Sequence, residues 1–162
     1  MEKKVIASRI QTPDGTILWS RDSHDYITYT DSKTGEEYML DGGVWYQHTH
    51  INQVPAKNIS VYNTSKWNKL RDYVTRYTPL RDRQGVTTGV YGHVRISHMS
   101  DNHLNNLKEW LETYNQTHAD IYNYVKREIK YREKHNIQIP EHIYQYGIDT
   151  APAIESPTNI YS

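Results

Sequence analysis

The stretch YITYTDSKTGEEYMLD, residues 26–41, decides the class of fold. Residues 26–30 are β-branched or aromatic throughout, and DSKTG at 31–35 is a five-residue turn ending in glycine. Residues 37–40 then return as a second strand, so the segment predicts a β-hairpin. Working outward, residues 5–12 are β-rich and stop at Pro13-Asp14-Gly15, a strong turn signal. TILWS at 16–20 reads as a short strand, and the polar run 21–25 as a loop. Asp41-Gly42-Gly43 turns the chain again, and VWYQHTHI at 44–51 predicts a further strand. Strands this closely spaced imply an antiparallel meander, without helices, over residues 4–51.

The period changes in the second half. Ser65 is placed to cap a helix with Trp67, Leu70, Val74 and Tyr77 on one stripe. Thr78-Pro79 would end it, residues 78–89 read as a flexible loop, and residues 90–96 as a strand. Ser100 predicts the N-cap of a helix with Leu104, Leu107, Leu111 and Tyr114 on one face, and Asp101 suits the positive end of its dipole. Thr117 and Asp120 resemble a capping box for a last helix, in which Ile121, Val125 and Ile129 recur every four residues and which ends near Asn136. The expected fold class is α+β, with an N-terminal antiparallel β-meander sheet followed by two to three helices. One domain spans 1–149 (β-rich 4–51, mixed 60–140), and residues 150–162 read as a flexible tail.

Composition excludes more than it assigns. The 162 residues include 19 Lys plus Arg and 19 Asp plus Glu, so with neutral histidine the formal net charge is zero and nothing draws the chain to a nucleic-acid polymer. Mean hydropathy is −0.90, and no apolar run approaches the roughly 20 residues of a membrane span. Residues 1–5 lead into no signal-like apolar stretch. Without cysteine there is no disulfide or thiolate chemistry, which fits a cytoplasmic setting. The chain has 15 tyrosines and no phenylalanine. Tyrosine suits wet contact surfaces, so the bias fits either AT-rich codon usage or a homo-oligomer that completes burial left unfinished in the monomer.

Three kinds of chemistry compete for the polar residues. His48 and His50 alternate on their predicted strand and would face the same way, with His24, Asp25, His93, His98 or His103 as third ligand for a metal, yet no metal-binding spacing is present. Two-histidine phosphodiester hydrolysis would draw on His98 with His48 or His50, but only His98-Met-Ser100 has the required His-x-Ser form. Binding without catalysis has two candidate clusters. One is Arg21, His24, Asp25 and Tyr26 in a connection between β-rich segments, where binding residues gather. The other is Arg127, Tyr131 and Arg132 on the last helix, where arginine forks suit phosphate and tyrosine suits a base. The alternative for that helix is a solvated face with i, i+4 ion pairs such as Glu128–Arg132.

Several motifs also carry a family resemblance. They are Asp14-Gly-Thr-Ile-Leu-Trp-Ser-Arg21, His24-Asp25-Tyr26, Tyr29-x-Asp31 and Gly35-x-x-Tyr38-Met-Leu-Asp41-Gly42-Gly43-x-x-Tyr46, followed by Met99-Ser-Asp-Asn-His-Leu104 with Asn106. Lys126-x-Glu128-Ile-x-Tyr131-Arg132 and Ile137-x-Ile-Pro140 complete them. Over roughly residues 5–140 the sequence resembles the phage anti-Thoeris nucleotide-sponge family. That resemblance implies a non-enzymatic protein of the host cytoplasm, needing no cofactor, that sequesters cyclic ADP-ribose isomers or cyclic oligonucleotides and so blunts anti-phage signalling. It implies pockets between subunits of a dimer assembling to a hexamer. It makes the 24–26 loop, Asn106 and the arginines of the last helix candidates for ribose, phosphate and base contacts. The 78–89 segment and the tail depart from the family's compact pattern and leave the ligand's identity open. A cyclic-nucleotide phosphodiesterase and a protein–protein inhibitor using the tyrosine-rich surface are the alternatives.

Overall fold

A computed structural model describes residues 2–42 and 53–157. In chain order it contains β1 (Val5–Gln11), β2 (Ile17–Ser20), β3 (Tyr26–Thr30), β4 (Glu37–Asp41), β5 (Lys57–Asn58), β6 (Val61–Tyr62), α1 (Trp67–Leu70), β7 (Thr75–Arg81), β8 (Thr87–Arg95), α2 (Asp101–Thr113), α3 (Asp120–His135) and β9 (Ile154–Glu155). The α+β expectation holds, with antiparallel sheets first and two long helices later. The chain divides into two compact units, residues 1–65 with 152–162, and residues 66–151. The strand expected at 44–51, with His48 and His50, lies outside the described residues.

In the first unit β1 pairs antiparallel with β2, β5 and β6, and β2 with β9. The β3–β4 hairpin forms a separate two-stranded sheet, so among the described residues the meander is not one continuous sheet. Alternation sends Ile27, Tyr29, Tyr38 and Leu40 to one face, with Ile27 opposite Leu40 and Tyr29 opposite Tyr38. That face packs with Ile10 and Leu18 into one apolar core. Two aspartates hold the turns. Buried Asp31 accepts from the backbone N–H of Asp14 (2.8 Å), Lys33 (3.0 Å) and Thr34 (2.7 Å). Asp14 accepts from the N–H of Thr16 and of Ser32, each at 2.9 Å, and from the Tyr29 hydroxyl. Burial pushes the Asp14 carboxyl up, but hydrogen bonds from Thr16, Tyr29 and Ser32 outweigh it and hold the group far below the usual carboxylate range.

The expected tail is also structured at its start. Ile154–Glu155 pairs with β2 as β9, and in the second unit Thr150 bridges Val94 on the edge of β8. Gly92 permits that close approach, because a Cβ there would lie 2.6 Å from Thr150 Cγ2.

The second unit departs most from expectation. Only one turn of the predicted 65–77 helix forms, and Thr75–Arg81 continues as β7. The apolar spacing there matches a helix, but Thr75-Arg-Tyr-Thr is β-prone and finds a partner in β8. The expected 78–89 loop is therefore mostly strand. Its turn is Asp82-Arg-Gln-Gly85, with Asp82 accepting from the N–H of Gln84 and of Val86 at 2.9 Å each, and Gly85 at φ +80°. Pro79 sits where the register shifts, the place a sheet tolerates a residue without an N–H. Ser100 caps α2 as expected, its Oγ accepting from His103 N–H at 3.1 Å. The Thr117–Asp120 capping box does not form: α3 starts after Ala119 without a side-chain cap, and it ends at Asn136 in the left-handed region, φ 53°.

Glu128 is fully buried on α3. Its carboxylate accepts from Arg71 Nε (2.8 Å) and Nη2 (2.6 Å), Arg132 Nε (2.8 Å) and Trp67 Nε1 (3.1 Å). Arg132 Nη1 continues to Asp101 at 2.9 Å and Nη2 to the Ile96 carbonyl at 3.0 Å. Two arginines thus face two carboxylates, and the buried cluster is neutral. Glu128→Ala leaves Arg71 without a carboxylate and Arg132 with Asp101 alone, and is expected to cost about 3–5 kcal/mol. Denaturant unfolding followed by tryptophan fluorescence measures this; a loss under about 1 kcal/mol would show that the cluster is not what holds α1 to α3.

Candidate functional site

The sequence-predicted binding residues fall into three places. Arg21, His24 and Asp25 occupy the loop after β2 in the first unit, and Tyr26 is the first residue of β3. Asp25 Oδ2 accepts from Arg21 N–H at 2.8 Å and from Arg21 Nε at 2.7 Å, and Ser20 Oγ donates to the carbonyl of Asp25 at 2.8 Å. A Cβ on Gly42 would meet the Asp22 carbonyl at 1.9 Å, so the loop folds tightly on a glycine. Arg21 and Asp25 thus spend their charges on each other and set the loop's shape. His24 and Tyr26 remain exposed, the Tyr26 hydroxyl meeting Met39 Sδ at 2.8 Å.

Arg127, Tyr131 and Arg132 clasp α1 to α3. The Arg127 guanidinium lies 4.5 Å from the Trp67 ring, and that of Arg71 lies 4.6 Å from the Tyr131 ring. The helix face expected to be solvated is in part interior. Arg132 is 4% exposed with Nε, Nη1 and Nη2 all engaged, so it is a structural residue, and the Glu128–Arg132 pair is a buried one.

Asn106 lies elsewhere, on a groove of about 650 Å³ between the β7–β8 turn, the start of α2 and the 141–144 segment. That volume is in the range of small-molecule sites. Thr78, Arg81, Arg83, His103 and Tyr144 line it with Asn106. Arg81 Nη1 donates to the Gly85 carbonyl at 2.9 Å, bracing the turn, while exposed Arg83 makes no hydrogen bond or ion pair with a described residue. The Tyr144 hydroxyl accepts from Ser100 N–H at 3.0 Å and lies 2.6 Å from His103 Nδ1. In the tautomer that takes the hydroxyl proton at Nδ1, the neutral imidazole keeps Nε2–H as a donor. Burial, with the charge of Arg76 adding to it, holds His103 below the usual histidine range, and burial pushes Tyr144 up. The groove brings together the guanidinium of Arg83, the amide of Asn106 and the imidazole of His103, groups suited to phosphate and ribose oxygens, beside the carboxylates of Asp82 and Glu141.

The other chemistries find less here. Among the described residues no group of three or more His, Asp or Glu is placed to hold a metal. His98 Nδ1 lies 3.0 Å from Asp149 Oδ1, and its neighbour Ser100 is taken up in capping α2. Among the described residues no helix is long and apolar enough to cross a membrane. Arg83 and Tyr144 escaped sequence reasoning, and His103 entered it only as a possible metal ligand and motif residue, because the three come from a turn, an irregular segment and a helix start that share no local pattern.

Nuclear magnetic resonance titration of the histidines checks this geometry. His103 is expected to titrate below the ordinary value of 6.5, and Arg76→Gln to move it upward by removing the nearby positive charge. A His103 titration unchanged by that substitution would contradict the placement. In comparisons with protein-family models, curated proteins and solved structures, the chain shows no match.

Proposed function

We propose that the protein is a non-catalytic binder that sequesters a small phosphorylated signal, of the cyclic ADP-ribose or cyclic oligonucleotide class, and so blunts an anti-phage response in the host cytoplasm. The observation that carries this reading is the groove holding Asn106, which is also lined by His103 and by Arg83, an arginine with no partner among the described residues. A sequestering protein needs affinity and abundance, and no group that acts only in a transition state. The motif resemblance across residues 5–140 supports the choice of cyclic nucleotides within the wider class of phosphorylated ligands.

The same reading makes the protein a homo-oligomer, a dimer assembling to a hexamer. Tyr77 is 57% and Tyr91 50% exposed on the β7–β8 hairpin, with their rings stacked at 5.2 Å between centroids. Paired rings exposed to this degree are suited to burial by a second copy. Light scattering on the eluting protein is expected to give a mass at least double the 19.2 kDa chain; a monomer at micromolar concentration would contradict the assembly.

A phosphodiesterase that cleaves such signals is the second reading, favoured by the carboxylate-oriented His98 beside Asp149. One experiment separates the two. The purified protein is incubated with cyclic ADP-ribose isomers or cyclic oligonucleotides, freed of unbound ligand and heated, and the released material is identified by mass spectrometry. Intact ligand is expected, with Arg83→Ala and Asn106→Ala each reducing the retained amount at sub-saturating ligand, through affinity losses of about tenfold. Linearised product would overturn sequestration, and retention unaffected by both substitutions would move the site away from the groove.

A further inference from the structure

Arg76 has no anionic partner within its unit. It is the second residue of β7, opposite Val94 and partly buried, and its side chain makes no hydrogen bond or ion pair with a described residue. Its guanidinium carbon lies 5.6 Å from the Trp110 ring centroid. The neighbouring interior arginines behave differently, since Arg71 and Arg132 are both spent on Glu128. A partly desolvated guanidinium without an acid is an unfavourable arrangement that an incoming anion would relieve.

The ring beside it is equally unspent. Trp110 is 47% exposed and Tyr114 60% exposed, with their centroids 5.0 Å apart on α2. They contribute little to the Leu104–Leu107–Leu111 face that α2 buries. Large aromatic faces exposed next to an unpaired cation match how proteins hold a planar, charged ligand.

These groups adjoin the groove already described. Arg76 and Thr78 are two apart on β7 and so share a face. His103, Asn106 and Trp110 follow one face of α2 at spacings of three and four, and Tyr114 extends it. Thr78, His103 and Asn106 line the groove, so the strand and helix carry the same surface onward to Arg76 and Trp110.

We propose that Arg76, Trp110 and Tyr114 form a second subsite, continuous with the groove, for an anionic group joined to a planar ring, namely the phosphate and base of a phosphorylated nucleoside. The guanidinium forks two phosphate oxygens, and the aromatic pair packs against the base. The subsite deepens the proposed function, and rests on it for the wider ligand, while its own chemistry is read with simple probes.

Calorimetric titration of the full chain with pyrophosphate, adenosine and adenosine diphosphate tests it. Adenosine diphosphate is expected to bind at least tenfold more tightly than either fragment. Arg76→Gln is expected to weaken it at least tenfold while lowering the unfolding temperature little, because the only side-chain contact given up is the one with the Trp110 ring. Trp110→Leu is expected to weaken adenosine diphosphate while sparing pyrophosphate. Wild-type affinity in both variants, or no binding of any probe to the wild type, would overturn the subsite. Diphosphate binding without retention of cyclic signals would sink the sequestration reading and leave the subsite standing. Retention that survives both substitutions would do the reverse.

Discussion

A single buried carboxylate organises the second unit. Glu128 would be intolerable at zero exposure without partners, and it recruits an indole N–H and an arginine from the α1 turn and a second arginine from its own helix. Arg71 brings the short α1 turn, Arg132 reaches Asp101 at the start of α2, and its second Nη meets the carbonyl of Ile96 before that helix. The consequence is geometric. Once α2 is pinned at its first residue, the face bearing His103, Asn106 and Trp110 has a fixed position beside β7. The groove therefore depends on a cluster that does not line it, apart from the shared anchoring of α2.

The first unit solves a comparable problem with backbone donors in place of arginines. Asp14 and Asp31 each gather N–H groups from two turns, and the β3–β4 hairpin is closed by Asp31 at one end of its strands. This part was legible because its signals are local: β-prone runs, a turn sequence and a glycine at φ +70° all lie within sixteen consecutive residues. The β7–β8 hairpin was not legible for the opposite reason. Trp67, Leu70, Val74 and Tyr77 satisfy a helical period by coincidence, and the decision for strand comes from pairing with residues some fifteen positions away.

The same division explains the candidate site. Arg127, Tyr131 and Arg132 were recognisable as a cationic and aromatic cluster, and Glu128–Arg132 as an i, i+4 pair, but sequence cannot show that this pair is buried or that Arg132 reaches a second carboxylate on another helix. Arg21 and Asp25 likewise formed a visible charged cluster, and their charges close on each other. Asn106 entered through motif resemblance and does lie on the groove. Arg76 and Trp110 carried no signal at all, because an unpaired arginine is defined by the acids absent from its surroundings in three dimensions.

The indole N–H resonances of the protein, which has four tryptophans, report on both halves of this account at once. Adding adenosine diphosphate to isotopically labelled protein is expected to shift the Trp110 indole signal progressively. The Trp67 signal, held by Glu128 beneath the Arg127 guanidinium, is expected to stay in place. A Trp67 shift with a stationary Trp110 would return the binding site to α3 and contradict the groove.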